Sequence, residues 1–126
     1  LPQDQEITSL SICDMVLNVV YVTRLESFYY LERYNLEERT VINDVLLSEH
    51  LICSLSDFAV NPLLVVYRDV DYDNDYLVVR KLDGQLVKTF KNCSLTALDG
   101  EHVVYTKCYD DQYLYIWTSK TPNVDP

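Results

Sequence analysis

Val19-Val20-Tyr21 returns as Val65-Val66-Tyr67 and again as Val103-Val104-Tyr105. Each copy is followed eight or nine residues later by a Tyr-Leu pair: Tyr30-Leu31, Tyr76-Leu77 and Tyr113-Leu114. Recurrence of this kind marks a repeat architecture, in which each unit buries its apolar surface against its neighbours. The first two copies superpose with a shift of 46 residues and no gap, Leu17 on Leu63, Tyr30 on Tyr76, Leu36 on Leu82 and Val41 on Val87. The third starts 38 residues after the second and is cut short.

The repeat reads as strands. Tyrosine, valine and leucine alternate in runs of five to nine residues, the chain holds only two glycines, and no helical period is evident. Leu25 to Glu38 tempts a helical reading, but Phe28-Tyr29-Tyr30-Leu31 within it is aromatic and strand-like. The expectation is an all-β chain of about eleven strands in four-stranded antiparallel units, a-b-c-d, a-b-c-d, a-b-c. In the second unit these strands fall near 50–57, 63–70, 76–82 and 85–91. Asp83-Gly84 and Asp99-Gly100 are hairpin signals, because glycine accepts positive φ without steric cost. Glu37-Glu38 takes the place of Asp83-Gly84 in the first unit, so that turn needs other chemistry. The whole of 1–126 reads as a single repeat-built β domain, with units near 7–46, 50–91 and 94–118 and a tail at 119–126.

The segment from Tyr76 to Trp117 resembles WD40-type β-propeller sequence. Tyr76-Leu-Val-Val-Arg-Lys-Leu-Asp-Gly-Gln-Leu-Val-Lys-Thr-Phe90 is similar to the hairpin between a blade's third and fourth strands. Ser94 to Tyr105 resembles the entry into the next blade, and Tyr113-Leu-Tyr-Ile-Trp117 a third strand ending in tryptophan. Thr118 follows Trp117 where the family has Asp, and the Gly-His element that precedes a blade is absent. The resemblance implies a partial β-propeller of under three blades, where closed propellers hold about four to eight. It also implies a non-enzymatic scaffold that binds other proteins. An open stack exposes strand edges and apolar faces, which invites self-association or completion by further blades. The alternative is a β-trefoil, also built from three four-stranded repeats; its function would be that of a secreted cytokine-like or carbohydrate-binding module.

Composition narrows the partners. The formal charge is -10 and the pI about 4.4. Such a surface repels nucleic acid and anionic lipid and suits a basic partner, although acidity also serves plain solubility. No apolar run approaches the roughly 20 residues of a membrane helix. Cys13, Cys53, Cys93 and Cys108 form no Cys-x-x-Cys pair, which argues against a zinc ribbon. Reduced thiols in a cytoplasmic or nuclear protein are the expectation; the sequon Asn92-Cys93-Ser94 and an even cysteine count keep a secreted setting open.

The richest local feature is Asp69-Val-Asp71-Tyr72-Asp73-Asn74-Asp75. Alternating acidic residues in a loop supply oxygens suited to calcium, but Asn74 stands where a calcium loop needs glycine, and Leu77 and Val78 replace the late acidic ligand. The expectation is therefore no metal and no cofactor. His50 and His102 each follow a glutamate at matching repeat positions, which favours a structural role over catalysis. The candidate partner site joins Asp69, Asp71, Tyr72, Asp73 and Asp75 with Tyr109, Asp110, Asp111 and Tyr113, in or beside the two b–c loops. Acid and aromatic groups on one rim suit capture of lysine and arginine side chains.

Overall fold

A computed structural model describes residues 5–23, 28–48, 54–70, 75–107 and 110–120. Eleven strands run through them: β1 (Gln5–Cys13), β2 (Val16–Thr23), β3 (Tyr29–Asn35), β4 (Thr40–Ser48), β5 (Ser54–Val60), β6 (Leu64–Val70), β7 (Asp75–Lys81), β8 (Leu86–Lys91), β9 (Cys93–Asp99), β10 (His102–Lys107) and β11 (Asp110–Thr118). They form three open antiparallel sheets, β1-β2-β3-β4, β5-β6-β7-β8 and β11-β10-β9. Each sheet is a meander whose strands pair in chain order. The all-β reading in units of four, four and three therefore holds. Among the described residues each of the three sheets is open.

The chain divides into two compact units, Leu1–Cys53 and Ser54–Pro126. In the first, the four-stranded sheet alternates two faces. Asn18, Val20, Leu31 and Val45 lie on one face and are buried; Val20 pairs with Leu31 and Leu31 with Val45. Val19, Tyr21, Tyr30 and Leu46 lie on the other, where the rings of Tyr21 and Tyr30 stack at 5.3 Å.

In the second unit two sheets pack face to face. Leu64, Val66, Leu77, Val79 and Phe90 of the β5–β8 sheet meet Cys93, Val103, Tyr105 and Trp117 of the β9–β11 sheet in one core. Phe90 is the hinge of the packing, 4.4 Å from the Tyr105 ring and edge-on to Trp117 at 5.8 Å. Aromatic pairs at these separations add stabilisation beyond their buried area. A single residue, Asn92, carries the chain from β8 in one sheet to β9 in the next. It does so at φ 56°, a left-handed conformation that asparagine tolerates better than most side chains, and its N–H donates to the Asp75 carbonyl at 2.7 Å.

The turns follow local chemistry. Gly84 sits at φ 98° between Lys81 and Gln85, closed by Gly84 N–H to the Lys81 carbonyl at 3.0 Å. In the first unit the equivalent turn uses Asn35, whose side-chain oxygen accepts from the Glu38 N–H at 3.0 Å, while Arg39 takes the positive φ of 58°.

The gap-free superposition of the first two units does not survive as a strand register. Tyr21 lies opposite Tyr30, whereas Tyr67 lies opposite Val78 and Tyr76 opposite Asp69. The reason is where the b–c connection closes. In the first unit Thr23 N–H bonds to the Phe28 carbonyl; in the second Val70 pairs with Asp75. The closure falls one residue later along the repeat in the second unit, which slides β7 along β6 by two positions. A two-residue slide keeps every side chain on its own face, so the burial pattern is preserved.

Candidate functional site

The site expected from the sequence is built on the ends of β6, β7, β10 and β11. Asp69 lies on β6 opposite Tyr76, and Asp75 opens β7 opposite Val70. Asp110 and Asp111 open β11, with Asp110 paired to Lys107. Tyr113 follows on β11 and is 61% exposed. Asp71, Tyr72, Asp73 and Tyr109 lie outside the described residues, as does the calcium-loop reading that rested on Asp71, Asp73 and Asn74.

One residue without a signal in the sequence organises this rim. Arg68, on β6, holds Asp75 with two donors, Nε to Oδ1 at 2.8 Å and Nη2 to Oδ2 at 2.5 Å. Its Nη1 donates to the Ser94 hydroxyl on β9 at 3.1 Å. Ser94 is in turn paired with Thr106 near the end of β10. The bridge thus ties the end of β6 in one sheet to the start of β9 in the next, within the second unit. The same contacts show that Asp75 is engaged within the chain: a forked, charge-assisted pair neutralises it locally.

The rim carries basic groups beside the acidic ones. A cavity of about 400 Å³ is lined by Lys88, Phe90, Lys91, Cys93, Tyr105 and Lys107. The Lys107 ammonium lies 4.5 Å from the centre of the Tyr115 ring, a cation–π contact that steadies the side chain. Cys93 also lines this cavity, as a buried thiol whose Sγ lies 3.4 Å from the Lys91 carbonyl. His102 is exposed on β10, and His50 lies outside the described residues.

A second acidic group lies on the Tyr21 face of the first unit. The Tyr21 hydroxyl donates to Asp44 Oδ2 at 2.7 Å, and Glu32 stands opposite Asp44 across β3 and β4. Loss of water and the neighbouring Glu32 charge push the Asp44 carboxyl above its usual range, against the pull of the Tyr21 bond and the Val45 backbone. Burial first, then the bond to Asp44, drives the Tyr21 phenol well upward. The bond to Glu32 raises Tyr34 in the same way.

Among the described residues no group of three or more His, Cys, Asp or Glu side chains is placed to hold a metal ion. No helix there is long and apolar enough to cross a membrane. No family model, curated protein or solved structure matches this chain.

Proposed function

We propose that this chain is a non-enzymatic interaction module with blade-like sheets, whose b–c rim binds a protein partner through a basic segment. The observation that carries this reading is the Arg68–Ser94 bridge, which ties the end of β6 to the start of β9, in the sheet where Tyr113 stands exposed on β11. Three open meanders, with the outer strand of one sheet leading through Asn92 straight into the next sheet, are the connectivity of consecutive propeller blades and support a WD40-like scaffold over a trefoil. The net charge of -10 favours a cationic segment in solution and speeds its encounter at low salt. Tyr113 supplies a face for a lysine or arginine head group, and Asp110 and Asp111 supply charge.

The test is titration of a fluorescent lysine- and arginine-rich peptide at two ionic strengths. Binding that weakens with salt, and that falls at least about tenfold in Tyr113→Ala and in Asp110→Asn/Asp111→Asn, supports the reading. No binding, or preference for an acidic peptide drawn to Lys91 and Lys107, sinks it.

A further inference from the structure

Each sheet of this chain carries a Tyr-Leu pair on its third strand: Tyr30-Leu31 on β3, Tyr76-Leu77 on β7 and Tyr113-Leu114 on β11. The last two are equivalent in register as well. Tyr67 faces Val78 and Tyr105 faces Tyr115, so Leu77 corresponds to Leu114 and Val79 to Ile116. In the first two sheets a fourth strand lies on the far side of the pair. Val45 of β4 stands opposite Leu31, and Phe90 of β8 stands opposite Leu77. Both leucines are 0% exposed, and both partners are buried. Among the described residues the third sheet has no such strand. There β11 is the outer member, Leu114 is 65% exposed and Ile116 58%.

The outer edge of β11 also differs in composition from those of β4 and β8. A sheet edge presents a row of backbone donors and acceptors, and charged side chains on the edge strand keep other chains from pairing there. Asp44 sits in mid-strand on β4, and Lys88 and Lys91 sit on β8. On β11 both charges, Asp110 and Asp111, come at the start, and Gln112 to Thr118 holds no charge, no proline and no glycine. A stretch of that composition pairs readily with an added strand.

The chain contains its own example of a strand that fits a Tyr-Leu edge. β8 runs antiparallel to β7 and sets Lys88 against Val79, Phe90 against Leu77 and Lys91 against Tyr76. It is basic, and its aromatic residue meets the leucine. Carried over to β11, the same pattern sets a cation against Ile116, an apolar residue against Leu114 and a cation against Tyr113. Residues that follow this last cation run toward Asp111 and Asp110, so further basic residues there meet opposite charge.

We infer that the partner's basic segment binds as a fourth strand of the β9–β11 sheet, antiparallel to β11, with an apolar residue opposite Leu114 and a lysine or arginine next to it opposite Tyr113. The inference rests on the basic-segment reading above and adds the mode of binding to it. Backbone pairing supplies affinity, and the order apolar-then-basic supplies selectivity. Charge by itself accepts any cationic peptide, whereas strand addition accepts one register. A cation directly across from Tyr113 is within reach of its ring. The contact lies wholly within the Ser54–Pro126 unit.

The test uses the full chain and a labelled peptide with the β8 sequence Gln85–Asn92, read by fluorescence anisotropy. The controls are a scrambled peptide of the same composition and two peptides N-methylated on alternate residues. One is methylated at Leu86, Lys88 and Phe90, the other at Val87, Thr89 and Lys91. In an antiparallel pair only alternate residues bond to a given neighbour. One methylated peptide therefore loses affinity at least about tenfold while the other binds like the parent. The scrambled peptide also binds at least about tenfold more weakly than the parent, and Leu114→Asn, an exposed and uncharged change, weakens the parent about threefold. Scrambled and methylated peptides that all bind as well as the parent overturn strand addition and leave side-chain capture of cations standing. Binding by none of the peptides overturns both. A dimer of the chain in sedimentation that the parent peptide does not dissociate also overturns the inference, since a second copy then holds the edge.

Discussion

Asn18 and Arg33 stand directly opposite each other on β2 and β3, yet neither completes the other. Among the described residues, the buried Asn18 Oδ1 and the buried Arg33 Nε both lack a hydrogen-bond partner. Arg33 has one long bond, Nη1 to Asn43 Oδ1 at 3.4 Å, and desolvation holds its guanidinium below its ordinary pKa. In the second unit the residues aligned with this pair are Leu64 and Val79, both in the core. The first unit therefore places a polar pair where the repeat otherwise puts apolar side chains. An unmet buried polar group costs about 1–3 kcal/mol. Asn18→Val is expected to raise stability by about 1–2 kcal/mol, read as a higher urea midpoint at unchanged slope. A lower midpoint would show that the amide has a partner in solution.

The clamp of Arg68 on Asp75 should behave in the opposite way. Both side chains are about three-quarters buried, at 27% and 21% exposure, and the pair shares two bonds in a fork. Removing one partner strands the other's charge in a partly dry site. Arg68→Ala should cost about 2–3 kcal/mol, and more than Ser94→Ala, which loses one bond to a charged donor and about 1–2 kcal/mol. Thermal denaturation of the two variants decides the order. An equal, negligible loss in both would mean that the bridge does not organise the rim.

Much of this fold was legible because alternation and turn residues act locally. Val-Val-Tyr and the two Asp-Gly pairs sit where strands and hairpins form, and the number of strands and the four strands of the second unit fall within a few residues of expectation. Long-range facts were not legible. The two-residue slide of β7 along β6 depends on where a connection closes, and Tyr21 and Tyr67 have identical neighbours at the level of sequence pattern. Arg68 reads as one more charge in an acidic stretch; only the spatial approach of β9 shows that it bridges to Ser94.

The β1–β2 hairpin turns on a pair that no simple signal announces. Cys13 pairs with Val16, so Asp14-Met15 is a two-residue loop, and both residues have positive φ, 51° and 61°. That is the backbone of a type I′ turn, whose natural occupants are Asn-Gly. A methionine there suffers the left-handed penalty of about 1–2 kcal/mol, partly offset in Met15→Gly by the greater freedom of glycine in the unfolded chain. The Met15 carbonyl accepts from the Leu36 N–H at 2.9 Å, a bond that glycine retains. Met15→Gly should therefore stabilise by about 0.5–1 kcal/mol, measured by chemical denaturation. Destabilisation would show that the side chain, 52% exposed, makes contacts worth more than the strain.

Asp44 gives the chain a pH dependence whose sign can be stated. Its carboxyl is raised in the folded state from an ordinary 3.8, chiefly because folding strips water from it and secondarily because Glu32 faces it across the strands. The Tyr21 hydroxyl and the Val45 backbone act the other way. A raised carboxyl means that the folded chain binds the proton more tightly than the unfolded one. Below pH 3.8 both states hold it and Asp44 contributes no pH dependence. As pH rises from there through the folded value, the unfolded chain releases its proton first, and stability falls until both forms are ionised. Asp44→Asn removes this component, so the stability difference between wild type and variant should shift in the variant's favour across that window and then level off. Tyr21→Phe deletes a bond that favours the ionised form, so it should push the Asp44 titration further upward in a carboxyl-resolved NMR experiment. An Asp44 titration at or below 3.8 in the wild-type protein would overturn the account, because the Tyr21 bond would then outweigh desolvation and Glu32 together.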